Sequence, residues 1–134
     1  MKNNFDIVVI GSGPGGYVAA IRAAQLGMKV ACIEKSELGG ICLNWGCIPT
    51  KSLIKNADVW RNLQSLDRFG IGCENPQLNF SKVIQRSRQV ALRLSKGVEF
   101  LFKKNQITVF HGFGRFKDKN TIEILDSGNN ILSE

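Results

Sequence analysis

Six residues, Gly11-Ser12-Gly13-Pro14-Gly15-Gly16, stand between an apolar run (Phe5 to Ile10) and a stretch carrying Ala19, Ala20, Ala23 and Ala24. Few folds accept that order. The β-branched run reads as a parallel strand buried on both faces. The alanines read as a helix from about Pro14 to Leu26, lying close to a sheet. Pro14 is tolerated in its first turn and Gly27 stops its end. Lys29 to Glu34 reads as a second strand, so the three pieces form one βαβ unit. The spacing G-x-G-x-x-G between strand and helix is that of a dinucleotide cradle. In such a cradle Gly11 makes the tight turn, Gly13 lets the backbone approach a pyrophosphate, and Gly16 permits close helix–strand packing. Helix N-terminal N–H groups and the helix dipole hold the anion. Glu34 follows Gly11 by 23 residues. A carboxylate there accepts hydrogen bonds from a ribose diol and repels a 2′-phosphate, which points away from NADP. The competing reading is a glycine-rich turn beside a surface Glu, and the strand and helix around the loop weigh against it. The loop alone does not separate FAD from NAD.

Downstream, Leu38-Gly-Gly-Ile-Cys-Leu-Asn-Trp-Gly-Cys-Ile-Pro-Thr-Lys51 holds two thiols, Cys42 and Cys47, with four residues between them. On a regular helix, positions five apart point about 140° away from each other. Gly46 and Pro49 predict an irregular helix start that lets the ring close. A small strained disulfide is more easily reduced than a structural one, and a thiolate near a helix N-terminus has a lowered pKa. A flavin exchanges electrons with thiols as well as with nicotinamide, so the dithiol favours FAD. The competing readings are half a zinc site and a pair of inert core cysteines. Zinc wants further ligands, and Cys73 and His111 are isolated while Cys32 lies in a buried strand. Cys32 reads as a small core residue, Cys73 as a loop thiol and His111 as a structural strand residue.

A helix is expected from Thr50 to about Leu66, with Leu53, Ala57, Trp60 and Leu63 or Gln64 near helical spacing. A break follows near Phe69 to Pro76. Ser81 is the expected N-cap of a further helix, whose apolar face carries Val83, Ile84, Val90, Ala91, Leu94, Val98, Leu101 and Phe102; Gly97 is expected to weaken it locally. From Ile107 the period becomes that of strands. Ile107 to Phe110, Thr121 to Leu125 and Ile131-Leu132, with turns at Asp118-Lys119-Asn120 and Ser127 to Asn130, predict an antiparallel meander.

The chain has 134 residues and a formal net charge of +7. That length suits one domain with a real core. Its basic excess collects between 82 and 104, where Lys82, Arg86, Arg88, Arg93, Lys96, Lys103 and Lys104 face one acid, Glu99. Nucleic acid binds such patches, but aromatic interleaving suited to base stacking is missing there: Phe100 and Phe102 flank the end of the segment and read as core residues. The face reads as the solvated side of an amphipathic helix. No apolar run approaches the ~18 residues that span a bilayer. The first residues are too short an apolar run for a signal peptide, so the expected location is cytoplasmic.

These motifs together resemble those of the pyridine nucleotide–disulfide oxidoreductases. The match rests on Gly-Ser-Gly-Pro-Gly-Gly at 11–16, on Glu34, and on Gly-Gly-Ile-Cys-Leu-Asn-Trp-Gly-Cys-Ile-Pro-Thr-Lys at 39–51. Leu43, Ile48 and Thr50 resemble the branch that acts on dihydrolipoamide more than the one that acts on glutathione. The segments Leu101 to Asn105 and Gly112 to Phe116 resemble that branch as well. Ile41 stands where Thr is commoner and Trp45 where Val is; neither supplies a sulfur.

The resemblance implies an α/β fold, a Rossmann-like FAD-binding domain in which a βαβ parallel sheet is joined by an antiparallel β-meander, here incomplete. It implies that Cys42 is the interchange thiol that meets a dithiol substrate and Cys47 the thiol that faces the flavin. FAD would be held by Gly11, Gly13, Pro14, Gly15, Gly16, Glu34, Lys35, Gly39, Gly40, Cys42, Lys51 and Gly114, with no metal. Lys51 would lie beside the reactive part of the isoalloxazine and Gly114 would contact the nucleotide through its backbone. The implied reaction is oxidation of dihydrolipoamide by NAD⁺ through a Cys42–Cys47 disulfide and FAD. Its implied setting is the lipoyl domain of a 2-oxoacid dehydrogenase complex, or the glycine cleavage system, served by a homodimer. The alternatives are another FAD–disulfide reductase, of mercuric or glutathione type, or a basic nucleic-acid-binding module.

Members of that family run to several hundred residues. They carry a second G-x-G-x-x-G domain for NAD, a return segment completing the FAD domain, and a dimerisation domain with a His–Glu acid–base pair. Residues 1–134 are therefore expected to be the N-terminal part of the FAD/NAD(P)-binding domain. The expectation follows that this segment alone does not turn over NAD⁺, retains FAD weakly and exposes apolar surface that invites self-association.

Overall fold

The computed structural model describes residues 4–134. A first strand, β1 (Ile7–Ile10), leads through the glycine loop into α1 (Pro14–Gln25) and returns as β2 (Val30–Glu34). Two helices of unequal length follow, α2 (Gly40–Asn44) and α3 (Cys47–Leu63), then a 3₁₀ turn at Leu66–Phe69 and the long α4 (Phe80–Lys104). The chain closes with β3 (Thr108–His111), β4 (Phe113–Asp118), β5 (Thr121–Leu125) and β6 (Ile131–Ser133).

The strands form two sheets. The first is parallel, in the order β1-β2-β3, and the second is an antiparallel meander, β4-β5-β6. This is the expected incomplete Rossmann-like arrangement, with one reassignment. The run Ile107 to Phe110, read as part of the meander, belongs instead to the parallel sheet, where Cys32 pairs with Val109 and Glu34 with His111. A short β-branched run has the same local pattern in either setting, and only its distant partner decides. The meander takes Phe113 to Asp118 in its place, a stretch too polar to read as a strand.

Side chains alternate across the parallel sheet. Ile7, Val9, Val30, Cys32 and Val109 face α1 and α4, whose Ala20, Ala23, Val98 and Phe102 complete the core. Val8, Ala31, Ile33 and Phe110 face the other way, across a cleft of about 640 Å³ bounded by Ile122 and Ile124 of the meander. This asymmetry explains why β2 is buried along its whole length while β1 is only half-buried: β2 lies between two strands, and β1 has β2 alone.

α4 runs unbroken through Gly97 for 25 residues. Its N-cap is Asn79 rather than Ser81, the Asn79 side chain accepting from the Lys82 N–H at 3.0 Å. α3 begins at Cys47, three residues earlier than its pattern predicts. Pro49 does not disturb it, because the N–H that proline lacks would have no partner in a first turn. The irregularity lies before the helix, at Trp45 and Gly46. α3 buries Pro49 and Ser52, while Leu53 and Ile54 are exposed. Among the described residues, no helix is long and apolar enough to cross a membrane.

Candidate functional site

The glycine loop is shaped by two different demands. Gly11 has φ +91°, a conformation that costs a side chain strain. Gly16 is closed in: a Cβ there would fall 1.9 Å from the Gly11 carbonyl oxygen. By contrast, a Cβ on Gly11, Gly13 or Gly15 would meet nothing within 4 Å, so the outer side of the loop is open. Gly13 is the N-cap of α1 and no side chain caps that helix. Its first-turn N–H groups thus lack an internal acceptor and border open space. Open backbone at a helix N-terminus fits the pyrophosphate of a dinucleotide. Pro14 occupies the first turn of the same helix.

Glu34, at the end of β2, is buried beneath this loop. Its Oε2 accepts from the Ser12 N–H at 2.8 Å and from the Ser12 hydroxyl at 2.7 Å, and its Oε1 accepts from the Ser36 N–H at 3.0 Å. Burial alone would push the carboxyl up, but the bonds from Ser12 and the backbone outweigh it and hold the group below its ordinary value. Lys35 turns outward, its Nζ 5.3 Å from the centre of the Phe113 ring. Gly114, on β4, presses against the Ile10 side chain, which a Cβ would meet at 3.1 Å. Glu34, Lys35 and Gly114 are therefore gathered at one end of the parallel sheet, next to the loop.

The cysteine segment departs from that same end. Gly39 and Gly40 both have positive φ, +93° and +62°. A Cβ on Gly40 would lie 2.8 Å from the Gly13 Cα, so the segment starts in contact with the nucleotide loop. Cys42 sits in the middle of α2 and Cys47 is the first residue of α3. The break at Trp45 and Gly46 makes these two residues neighbours: the Cys47 side chain and N–H both act on the Cys42 thiol, and both cysteines are free thiols. The Cys47 side chain, then burial and the Cys47 charge, push the Cys42 thiol up; the Cys47 N–H and the Lys51 ammonium oppose them. Helix N-terminal placement was expected to lower a thiol of the pair. It is Cys47 that holds that place, and Cys42 shifts the other way.

Several residues to which the sequence assigned no part in the site hold this segment. The Asn44 amide donates to the Leu38 and Gly40 carbonyls at 3.0 and 2.9 Å. From α4, the Ser95 hydroxyl donates to the Leu38 carbonyl at 2.7 Å and the Ser87 hydroxyl to the Pro49 carbonyl at 3.1 Å. Arg86 donates to the Ser52 hydroxyl at 2.8 Å, and Arg88 reaches the Asn44 carbonyl at 3.5 Å. Two residues of the basic run thus bind the redox segment, and Lys103 pairs with Glu99 at 2.8 Å. The others belong to the exposed side of α4. A periodicity of polar residues (Ser87, Ser95) on an otherwise apolar helix face was the available signal.

The remaining candidates stand apart. Cys32 is fully buried, and burial followed by the Glu34 charge pushes its thiol up to about 11. Cys73 is exposed in the loop before α4. His111 is exposed at the end of β3, beside Glu34 in register. Among the described residues, no three His, Cys, Asp or Glu side chains converge into a metal site.

Comparison with known proteins agrees with this geometry. The family described as pyridine nucleotide-disulphide oxidoreductase matches residues 5–133. A dihydrolipoyl dehydrogenase of Zymomonas mobilis is 53% identical over 115 residues, 86% of this chain and 25% of the relative. One from Corynebacterium glutamicum is 53% identical over 127 residues, 94% of this chain and 27% of the relative. One from Bacillus subtilis is 50% identical over 115 residues, 86% and 24% respectively. The chain spans about a quarter of the length of these relatives.

Proposed function

The chain belongs to the pyridine nucleotide-disulphide oxidoreductase family, and from that premise we propose that Cys42 and Cys47 exchange two electrons with a dihydrolipoamide substrate while residues 11–16 and Glu34 hold FAD. The reading is supported above all by one observation: Cys42 and Cys47 stand on either side of the α2–α3 break, on a segment that starts against the glycine loop.

Starting from the Cys42–Cys47 disulfide, a substrate thiolate attacks the Cys42 sulfur. The S–S bond breaks, a mixed disulfide forms and Cys47 leaves as a thiolate. The second substrate thiolate then attacks its own sulfur in that mixed disulfide and releases Cys42. The substrate leaves as a cyclic disulfide, oxidised by two electrons, and the cysteine pair gains them as a dithiol once protons are taken up. The family resemblance gives Cys42 the substrate-facing role and Cys47 the flavin-facing one; in the structure Cys42 is half-buried and Cys47 exposed. The Cys47 N–H steadies negative charge on the Cys42 sulfur, and Lys51 adds a positive charge nearby. FAD, when bound, supplies the two-electron acceptor that passes reducing equivalents to a nicotinamide. Gly11, Gly13, Pro14, Gly15 and Gly16 would receive its pyrophosphate, Glu34 and Lys35 its ribose, and Gly39, Gly40, Lys51 and Gly114 the adjoining surface.

The full reaction in this reading is dihydrolipoamide oxidation by NAD⁺, and it needs the nicotinamide site that the family carries beyond this stretch. Its partners are a lipoyl domain of a 2-oxoacid dehydrogenase complex and a second copy of the enzyme, and its setting is the cytoplasm. The relatives' shared name, dihydrolipoyl dehydrogenase, supports that substrate over glutathione or mercuric ion.

Thiol mapping tests it. The chain is oxidised mildly, treated with dihydrolipoamide, alkylated and digested for mass spectrometry. A Cys42–Cys47 disulfide that forms on oxidation and is reduced by dihydrolipoamide, with Cys32 and Cys73 uninvolved, is the expected result. Oxidation that never links 42 to 47 sinks the reading.

A further inference from the structure

Resting on that reading, we propose that Ser12 is a positioning residue shared by two sites: its hydroxyl holds the Glu34 carboxylate ready for a ribose diol and anchors the Gly39 amide from which the redox segment departs. Ser12 lies between the first two glycines of the loop and is completely buried. A serine hydroxyl has one proton to give and lone pairs to receive. Here the proton goes to Glu34 Oε2 at 2.7 Å, which turns the lone pairs toward the Gly39 N–H at 3.2 Å. The Ser12 N–H reinforces the first contact at 2.8 Å. One oxygen thus joins three pieces of chain: the phosphate loop, the end of β2 and the start of the cysteine segment.

Two consequences follow from the burial. Glu34 is oriented before any ligand arrives, so binding does not have to order it. Gly39 is itself buried, so its N–H has no replacement acceptor from solvent if the hydroxyl is removed. A loop Ala would keep the backbone N–H contact and lose both roles of the hydroxyl.

The test uses the 134-residue chain as wild type, Ser12→Ala, Glu34→Gln and the double variant, with FAD titrated by flavin fluorescence. Ser12→Ala is expected to weaken FAD binding about tenfold in the wild-type background and less than about threefold beside Glu34→Gln, the hydroxyl acting through the carboxylate. Equal losses in the two backgrounds indicate a general packing role and overturn the proposal. Amide exchange at Gly39 is read by NMR on wild type without nucleotide. Protection there, lost at least about tenfold in Ser12→Ala, is expected. A Gly39 amide that exchanges in wild type as fast as an exposed one overturns the proposal even if Ser12→Ala does not fold. A wild-type chain that takes up no FAD sinks the functional reading and the carboxylate half with it, while the Gly39 half is still decided by exchange.

Discussion

Gly40 lies so close to Gly13 that a Cβ on it would fall 2.8 Å from the Gly13 Cα. The start of the redox segment and the phosphate loop are therefore in backbone contact, with no side chain between them. Gly40→Ala meets two penalties, this collision and a φ of +62°. It is expected to cost about 2–3 kcal/mol and to displace α2. Gly97 is the opposite case, since a Cβ there meets nothing within 4 Å in the middle of α4. Gly97→Ala is expected to stabilise the fold by about 0.5–1 kcal/mol. Urea unfolding midpoints should move in opposite directions for the two variants.

Glu34 makes stability depend on pH. Its folded pKa lies below the ordinary 4.5, so its contribution is fully present above that value and fades as pH falls through the lower folded one. At neutral pH, Glu34→Gln is expected to cost about 1.5–3 kcal/mol, the worth of hydrogen bonds to a charged acceptor. Between the two pKa values, the loss of stability on acidification should be shallower in Glu34→Gln than in wild type. Glu99, Asp118, Glu123 and Asp126 are also held low, so some slope remains. Acid titration of the unfolding midpoint measures both effects, and parallel curves would contradict the assignment.

Alkylation rates should rank the thiols. Cys42 is shifted upward chiefly by the Cys47 side chain, so Cys47→Ala is expected to bring its reactive form in at lower pH and speed its labelling at pH 8. Removing the Lys51 charge works the other way, and Lys51→Gln should slow Cys42 labelling on the order of twofold. Cys32, fully buried and pushed up to about 11, should remain unlabelled until the chain unfolds. Rate against pH, read by mass spectrometry, checks all three.

Two phenylalanines of α4 should behave differently although they stand two residues apart. Phe102 is 1% exposed in the core beneath β2, and Phe102→Ala is expected to cost about 3–5 kcal/mol. Phe100 reads as a core residue in the sequence but is 65% exposed, and Phe100→Ala should stay within about 0.5 kcal/mol. Thermal or urea unfolding of the pair tests the placement of the helix face.

Local chemistry made much of this legible. The βαβ unit follows from consecutive residues: a β-branched run, a loop whose glycines meet steric demands, and small alanines that permit close packing. The placement of α4 follows from a 3.6-residue period. Readings failed where the deciding contact was distant or a local rule had an exception. Pro49 masked the start of α3, yet first-turn N–H groups have no partner to lose. Ile107 to Phe110 pointed to the meander because nothing in that run reports that Ala31 is its neighbour. Arg86 and Arg88 are exposed, as a solvated face predicts, but their acceptors were not legible because these lie 34 and 44 residues earlier.

The sequence by itself determined that a strand, a phosphate-sized loop and a helix come in that order, that an acid ends the next strand, and that two thiols follow within reach of a small ring. Turn sterics and side-chain period act over a few residues, so they are written locally. Tertiary structure alone decided that Ser12 clasps Glu34 and Gly39, that a break between two helices brings Cys42 to Cys47, and that α4 carries serines to the carbonyls of the redox segment. Those contacts are chosen by the need to partner every buried polar group in one packed arrangement, and that need is met only once the whole chain has folded.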